Sequence, residues 1–354
     1  MTKSMMQAAV LTRYGGPGKI EIATIERPKP KANEVLVKVY ATPVTAADTM
    51  MRRADPAISR LFLGFTRPRN NVMGTGFAGK VVGIGAEVED FAVGDRVFGE
   101  SGLGFAANAE YVCVAADGVI DWVPIALSYV DAATLCDGPL TSYHFLKTLA
   151  NVQAGQSVLV IGASGSLGTA AVQLAHAFGA RVTGVCSSRN VELVKSLGAS
   201  NVIDYTKTDF TQEQETYDLI FDTIGNTSYG KCRHLLTETG IYTTPVLKFS
   251  VLLDMLRTRL FSSQRVKFAP AGLLPPEKLR AYLDEITQLI TQGSLRMVID
   301  QQYPLEDVVA AHRYVDSGRK RGNVVLVPRA AQGHSRRENK KVSGKKESVQ
   351  SKTV

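Results

Sequence analysis

The chain has 354 residues, 45% hydrophobic and 21% charged, an ordinary globular usage that excludes wholesale disorder, collagen and coiled coil. Its apolar runs are broken well short of the roughly 20 residues of a membrane span, and its length suits two domains, or one large one, whose core needs no disulfide or metal staple. The net charge of +8 is unevenly placed: eight basic and two acidic residues lie from Arg329 onward, which leaves a surplus of only two for everything before.

The first third is rich in Gly, Pro and Val. Glu34 to Tyr40 alternates with period two, and Lys80 to Ile84, Asp95 to Phe98 and Glu110 to Val114 are further short runs separated by turn signals. This pattern predicts a β-rich domain or distorted barrel. From Ser128 to Leu149 apolar residues recur at helical spacing. Ser157 to Ile161 is a continuous apolar run, as in a strand buried on both faces. Leu167, Ala171, Leu174, Ala175 and Phe178 then mark one face of a helix. Arg181–Cys186, Asn201–Asp204 and Tyr217 to Phe221 are predicted strands, with a helix from Val191 to Leu197. Alternating strand and helix implies right-handed βαβ units and a parallel sheet.

Val246 to Phe261 is amphipathic, with Arg257 and Arg259 among leucines. It reads as a helix packed on its own domain or at a subunit contact, or as a membrane-surface helix. Pro275 and Pro276 open a long helix to Gln292, and Asn323–Val327 is the last predicted strand. Beyond Pro328 the chain is polar and basic, and disorder is expected.

Cys113, Cys136, Cys186 and Cys232 form no C-x-x-C pair, so a zinc ribbon is not expected and a reducing compartment fits. The first residues lack the apolar run of a signal peptide, and a cytoplasmic location is expected. His144, His176, His234 and His312 are scattered without metal spacing.

The strongest chemical signal is Gly162, Ala163, Ser164, Gly165, Ser166, Leu167 and Gly168, between the buried strand and the amphipathic helix. That context is what a dinucleotide fingerprint requires: small residues admit a pyrophosphate and the helix N-terminus offers free N–H groups. A serine-nucleophile elbow fits less well, because Ser166 stands where its last glycine should be. The stretch from Thr183 to Asn190 has no acid to hold a ribose 2′-hydroxyl, whereas Ser187 and Arg189 are donors suited to a 2′-phosphate. The expected cofactor is therefore NADPH; a solvated Arg189 at a helix start is the competing reading.

These residues resemble the medium-chain dehydrogenase/reductase superfamily in its zinc-free quinone oxidoreductase-like branch. Val82 to Gly99 is similar to that family's G-x-G-x-x-V-x-x-F-x-x-G-D-x-V stretch. Gly155, Gln156, the loop from Ala163 to Gly168 and Gln173 follow the quinone oxidoreductase signature. Ser166 and His176 depart from it, standing where Gly and a Lys or Arg are usual.

The resemblance implies an α/β chain: a GroES-like β-rich catalytic domain over 1–127 and 275–328, split by a Rossmann doubly wound parallel-sheet cofactor domain over 128–274. A disordered basic tail is expected over 329–354. It also implies cofactor contacts for Thr141, Tyr205, Thr223, Gly225, Gly322 and Asn323 beside Ser164, Gly165, Ser166, Leu167, Gly168, Ser187 and Arg189. A sheet tyrosine and a turn residue are the plain alternatives for Tyr205 and Asn323. The zinc-ligand positions of the metal-dependent branch carry Gly74, Thr75 and Gly76, then Thr45 ahead of Asp48, then Asp137. At most one ligand remains of the three a catalytic zinc needs, so no metal is expected.

The implied activity is hydride transfer from NADPH to a quinone or an α,β-unsaturated carbonyl, a small electrophilic acceptor. Asp48, Thr45 and Thr75 are the weak catalytic candidates. An NAD(P)-dependent alcohol dehydrogenase-like enzyme and an NADPH-binding regulatory protein acting through its tail remain open. So does a homodimer. No specific nucleic-acid partner is expected, only weak contact of the tail with an anionic surface.

Overall fold

A computed structural model describes residues 4–55 and 57–329. The expected basic tail lies outside the described residues, apart from Arg329, which pairs with Glu306 at 2.9 Å. The described residues form two units. Of these, the first draws on 4–55, 57–133, 301–318 and 324–329, the second on 134–300 and 319–323.

In chain order the first unit contributes β1 (Met5–Leu11), β2 (Ile20–Glu26), β3 (Glu34–Pro43), α1 (Ala46–Arg53), α2 (Arg60–Leu63), β4 (Gly76–Ile84), β5 (Arg96–Glu100), β6 (Tyr111–Ala115), β7 (Val119–Trp122) and α3 (Tyr129–Ala132). The chain continues through α4 (Gly138–Tyr143), β8 (Ser157–Ile161), α5 (Ser166–Ala177), β9 (Arg181–Cys186), α6 (Val191–Ser196), β10 (Asn201–Asp204), β11 (Tyr217–Asp222), α7 (Tyr229–Cys232), β12 (Leu236–Thr243), α8 (Phe249–Phe261), β13 (Arg265–Lys267) and α9 (Pro276–Thr291). It closes with β14 (Ile299–Pro304), α10 (Val308–Asp316) and β15 (Asn323–Val327).

In the first unit the valine alternation of β3 places it at the centre of a sheet ordered β14-β15-β3-β4-β5-β7, with β6 also paired to β3. Val35, Val37 and Val39 pack on Phe77, Val81, Val97 and Ile120. A second cluster joins Leu11, Ile20 and Val44 to Val308, Ala311 and Val315 of α10. Each fully buried Val or Leu contributes roughly 1.5–3 kcal/mol.

In the second unit β8 is buried along its whole length, which its unbroken apolar run requires. It pairs in parallel with β9 and β11 in a six-stranded sheet ordered β10-β9-β8-β11-β12-β13. Numbered along the chain this is 3-2-1-4-5-6, the doubly wound order whose reversal lies between β8 and β11.

Three expectations are corrected. The single helix read over 128–149 is α3, α4 and a π turn from His144 to Leu149, because Pro139 lacks an N–H and starts a new helix. The return expected at residue 275 comes at 301. The α9 helix packs in the second unit, where Leu279, Leu283 and Ile286 are buried, Tyr143 bonds Glu285, and Thr148 Oγ1 meets the Tyr282 hydroxyl at 2.7 Å. The five residues 319–323 also belong to the second unit.

Candidate functional site

At the end of β8 the chain must turn sharply into α5. Gly162 does so at φ +78°, and a Cβ there would lie 2.5 Å from Ile224 Cγ1. Gly168 lets α5 lie against the loop, since its Cβ would sit 2.1 Å from Gly162 O. Gly165, which precedes α5, is different: the nearest atom to an added Cβ is Gly162 O at 3.5 Å. The loop is thus packed on its inner side and clear on its outer side. The first N–H groups of α5 have no acceptor within the helix and sit at its positive end. This arrangement leaves the backbone from Ser164 to Gly168 with room and free N–H groups for an anionic group such as a pyrophosphate.

Ser166 is the centre of a polar cluster. Its Oγ lies 2.6 Å from Asp137 Oδ2 and 2.7 Å from Asn323 Oδ1. Asn323 Nδ2 donates to Val298 O at 3.1 Å, and Gly322 N donates to Ser164 O at 2.8 Å. Gly322 has φ +65°, where a side chain would also strike Val298 O. The 319–323 segment is thereby fastened across the glycine loop. Lys320 is half-buried and donates from Nζ to Gly322 O at 2.8 Å. Burial lowers its ammonium pKa, against the opposing pull of Asp137 and Asp300.

The tips of β9 and β10 form the second part. Asn190 Nδ2 donates to Ser164 Oγ at 2.9 Å and to Ser187 Oγ at 3.3 Å, so Ser187 sits beside the glycine loop. Arg189 is exposed and donates to the Arg319 carbonyl. Tyr205, 58% exposed, lies just past β10 and donates its N–H to Cys186 O at 3.0 Å. Asp204 accepts bonds from Ser188 and Thr206, which hold its carboxyl at about 2. Sequence reading missed Asp204, because it looked for an acid on the second strand rather than on its neighbour.

The third part follows β11. Buried Asp222 accepts from the N–H groups of Ile224, Gly225 and Thr227 and from the Tyr242 hydroxyl at 3.0 Å. Burial and that carboxylate raise the Tyr242 phenol pKa. Thr223 Oγ1 donates to Ile161 O at 2.8 Å, which sets Thr223 and Gly225 at the carboxyl edge beside Gly162. Thr141 is half-buried in the first turn of α4, its N–H on Asp137 O at 3.2 Å.

The catalytic candidates Thr45, Asp48 and Thr75 lie in the first unit. Thr45 caps α1: its Oγ1 accepts from Asp48 N at 3.0 Å, and Asp48 Oδ2 accepts from Thr45 N at 2.8 Å. This is a capping box, legible as Thr-x-x-Asp before a helix. Asp48 also lines a small, partly open pocket with Tyr14, Met51, Arg52, Met73 and Phe105. Fully buried Arg52 reaches Asp316 at 2.5 Å and Gly15 O at 3.0 Å. Thr75 is half-buried, its carbonyl accepting from Ser101 N at 2.9 Å. Among the described residues, no group of three His, Cys, Asp or Glu is placed to hold a metal ion.

A parallel sheet in this order, with a glycine loop leading from its first strand into a helix, defines a dinucleotide-binding protein. Two family models match the chain: an alcohol dehydrogenase GroES-like domain over residues 31–124 and a zinc-binding dehydrogenase over 197–326. The 2-methylene-furan-3-one reductase of Solanum lycopersicum is 31% identical over 92% of this chain and 80% of its own. Among solved structures, the quinone oxidoreductase from Coxiella burnetii is 26% identical, with a TM-score of 0.81 over 92% of this chain and 99% of that one. A mycobacterial protein complexed with NADPH is 25% identical, with a TM-score of 0.79 over 91% and 100%. The chain belongs to the medium-chain dehydrogenase/reductase superfamily, in its quinone oxidoreductase-like branch, a family of nicotinamide-dependent oxidoreductases.

Proposed function

We propose that the chain is a zinc-independent, NADPH-dependent reductase that delivers a hydride to a quinone or to the β-carbon of an α,β-unsaturated carbonyl. The observation that carries this reading is the glycine loop fastened under residues 319–323, with Ser187 and Arg189 beside it. When bound, the nicotinamide cofactor supplies the hydride; the chain's own residues bind, orient and exclude water. Ser164 to Gly168 would hold the pyrophosphate. Ser187 and Arg189 would hold the 2′-phosphate, with Tyr205 at the adenosine end. Thr141, Thr223, Gly225, Gly322 and Asn323 would line the rest of the site.

Zinc independence is supported by what the ligand positions do instead. Asp137 meets Ser166, and Thr45 and Asp48 cap α1. Without a Lewis acid, an already activated acceptor is the easier substrate. The proton that follows the hydride in an enone comes from solvent in this reading, since Asp48 is engaged in its cap. One observation favours a second reading, NADH as coenzyme: Asp204 places a carboxylate at the tip next to Ser187 and Ser188.

Titrating both coenzymes separates the two. NADPH should bind more tightly, and Arg189→Ala should weaken it by roughly 1.5–3 kcal/mol, the range for a hydrogen bond to a charged group, with NADH nearly unaffected. Equal affinities, or tighter NADH, would remove the 2′-phosphate assignment. Oxidation of NADPH against quinones, enals and simple ketones then ranks the acceptors, with ketones expected last.

A further inference from the structure

The glycine loop from Gly162 to Gly168 carries no charged side chain. The pyrophosphate of a dinucleotide brings two negative charges, and a helix N-terminus offsets only about half of one. Asp137, 2.6 Å from Ser166 Oγ, adds a further carboxylate at the same helix end. A cation close to the loop would offset both. Three consecutive basic residues, Arg319, Lys320 and Arg321, lie in the segment fastened across it. Gly322 forms a parallel bridge with Gly165, and its N–H donates to Ser164 O at 2.8 Å.

The three basic residues are used differently. Arg319 takes the Arg189 guanidinium on its carbonyl. Arg321 turns to Asp300, its N–H 2.8 Å from Oδ2 and its Nε 3.6 Å from Oδ1. Lys320 is half-buried and folds back so that Nζ meets Gly322 O at 2.8 Å. That carbonyl belongs to the residue bridged to the loop. An ammonium has three protons to donate. Gly322 O takes one, and among the described residues no carboxylate stands within ion-pair distance of Nζ. Asp137 and Asp300 act on it only from further off. Lysine is seldom withdrawn from water without a partner, because its ammonium loses hydration for little return. The segment does not depend on it for anchorage, since the N–H groups of Gly322 and Asn323 already bond Ser164 O and Val298 O. A cation with two protons to spare, beside a loop that is clear on its outer side, is arranged for phosphate oxygens.

We propose that Lys320 is a coenzyme-binding residue whose ammonium pairs with the pyrophosphate at Ser164 to Gly168. The assignment rests on the dinucleotide reading of that loop. It adds a charge contact common to NADPH and NADH, whereas Arg189 would meet only the 2′-phosphate. The test is fluorescence titration of the full chain, of Lys320→Gln and of Lys320→Arg with each coenzyme, beside thermal midpoints taken without coenzyme. Lys320→Gln should weaken NADPH and NADH by the same factor, about tenfold or more. Its midpoint should equal or exceed the parent's, since a half-buried charge has been removed. Lys320→Arg should recover most of the lost affinity, because the positive charge returns. Joined to Arg189→Ala, the Gln substitution should multiply the loss for NADPH, as two separate contacts do. The proposal is overturned if Lys320→Gln binds both coenzymes like the parent. A loss confined to NADPH also overturns it, by moving Lys320 to the 2′-phosphate. So does a loss that comes with a lowered midpoint and that Lys320→Arg fails to restore, which would make the lysine a brace for the segment. A parent chain that binds neither coenzyme would instead overturn the dinucleotide reading itself.

Discussion

Ser166 has one hydroxyl proton and two oxygen acceptors within 2.7 Å, so it donates to Asp137 or to Asn323 at any moment and not to both. The residue stood out in the sequence as a departure from the family's glycine, yet its partners are 29 and 157 positions away and no spacing rule names them. The Thr45 and Asp48 pair shows the converse. Its capping box was written locally, and reading those residues as pocket chemistry overlooked the nearer use of both side chains. His312 allows a sharper test. It is fully buried, and burial, followed by the Arg52 charge, lowers its pKa to about 3. Below its ordinary value of 6.5 the unfolded chain takes up a proton that the folded chain refuses until about pH 3. Stability is therefore lost as the pH is lowered through that window, by up to about 1.4 kcal/mol per pH unit. His144, lowered by burial and then by Lys278, adds to the loss with the same sign. His312→Leu should flatten the acid limb of a thermal-midpoint profile between pH 6.5 and 4. A profile parallel to the parent's would show that His312 does not titrate in this way.

At the scale of elements, the glycine loop makes opposite demands at two neighbouring positions. Gly168→Ala would place a methyl 2.1 Å from Gly162 O, a backbone atom that cannot swing aside. It should cost on the order of 3 kcal/mol or more, read as a fall in the denaturation midpoint. Gly165→Ala meets nothing closer than 3.5 Å and should fold like the parent, while its methyl obstructs the pyrophosphate and weakens NADPH at least tenfold. Normal NADPH affinity in the folded Gly165→Ala chain would contradict the cradle. The elements that build this loop were legible because β8 is an unbroken apolar run and α5 has a clean helical face. Others were not. The β14 strand reads Ile-Asp-Gln-Gln-Tyr-Pro and lies at a sheet edge, so nothing forces an apolar pattern on it. The β12 strand carries Thr-Glu-Thr-Gly along its length and escaped notice for the same want of pattern. For α9, amphipathicity disclosed a buried face but not that Tyr143 and Thr148 of the second unit would cover it. The domain boundary was misplaced with it.

For the whole molecule, most of the net charge sits past the last strand. The β15 strand ends at Val327, and the 329–354 segment contains only Ala330, Ala331, Val342, Val349 and Val354 as hydrophobic residues. Ending the chain at Pro328 should leave turnover and thermal midpoint within error of the full chain, because the surface pair Arg329–Glu306 contributes little. Loss of turnover would make the tail part of the catalytic unit. The proposed reaction is direct hydride delivery to an activated acceptor without a metal. It is tested most directly by supplying NADPH deuterated at the transferable C4 position, with a cyclic enone, to protein pretreated with a strong chelator. The expected product is a saturated ketone with one deuterium on its β-carbon, formed at the same rate as before chelation. A product without deuterium, or activity that chelation abolishes and zinc restores, would contradict it.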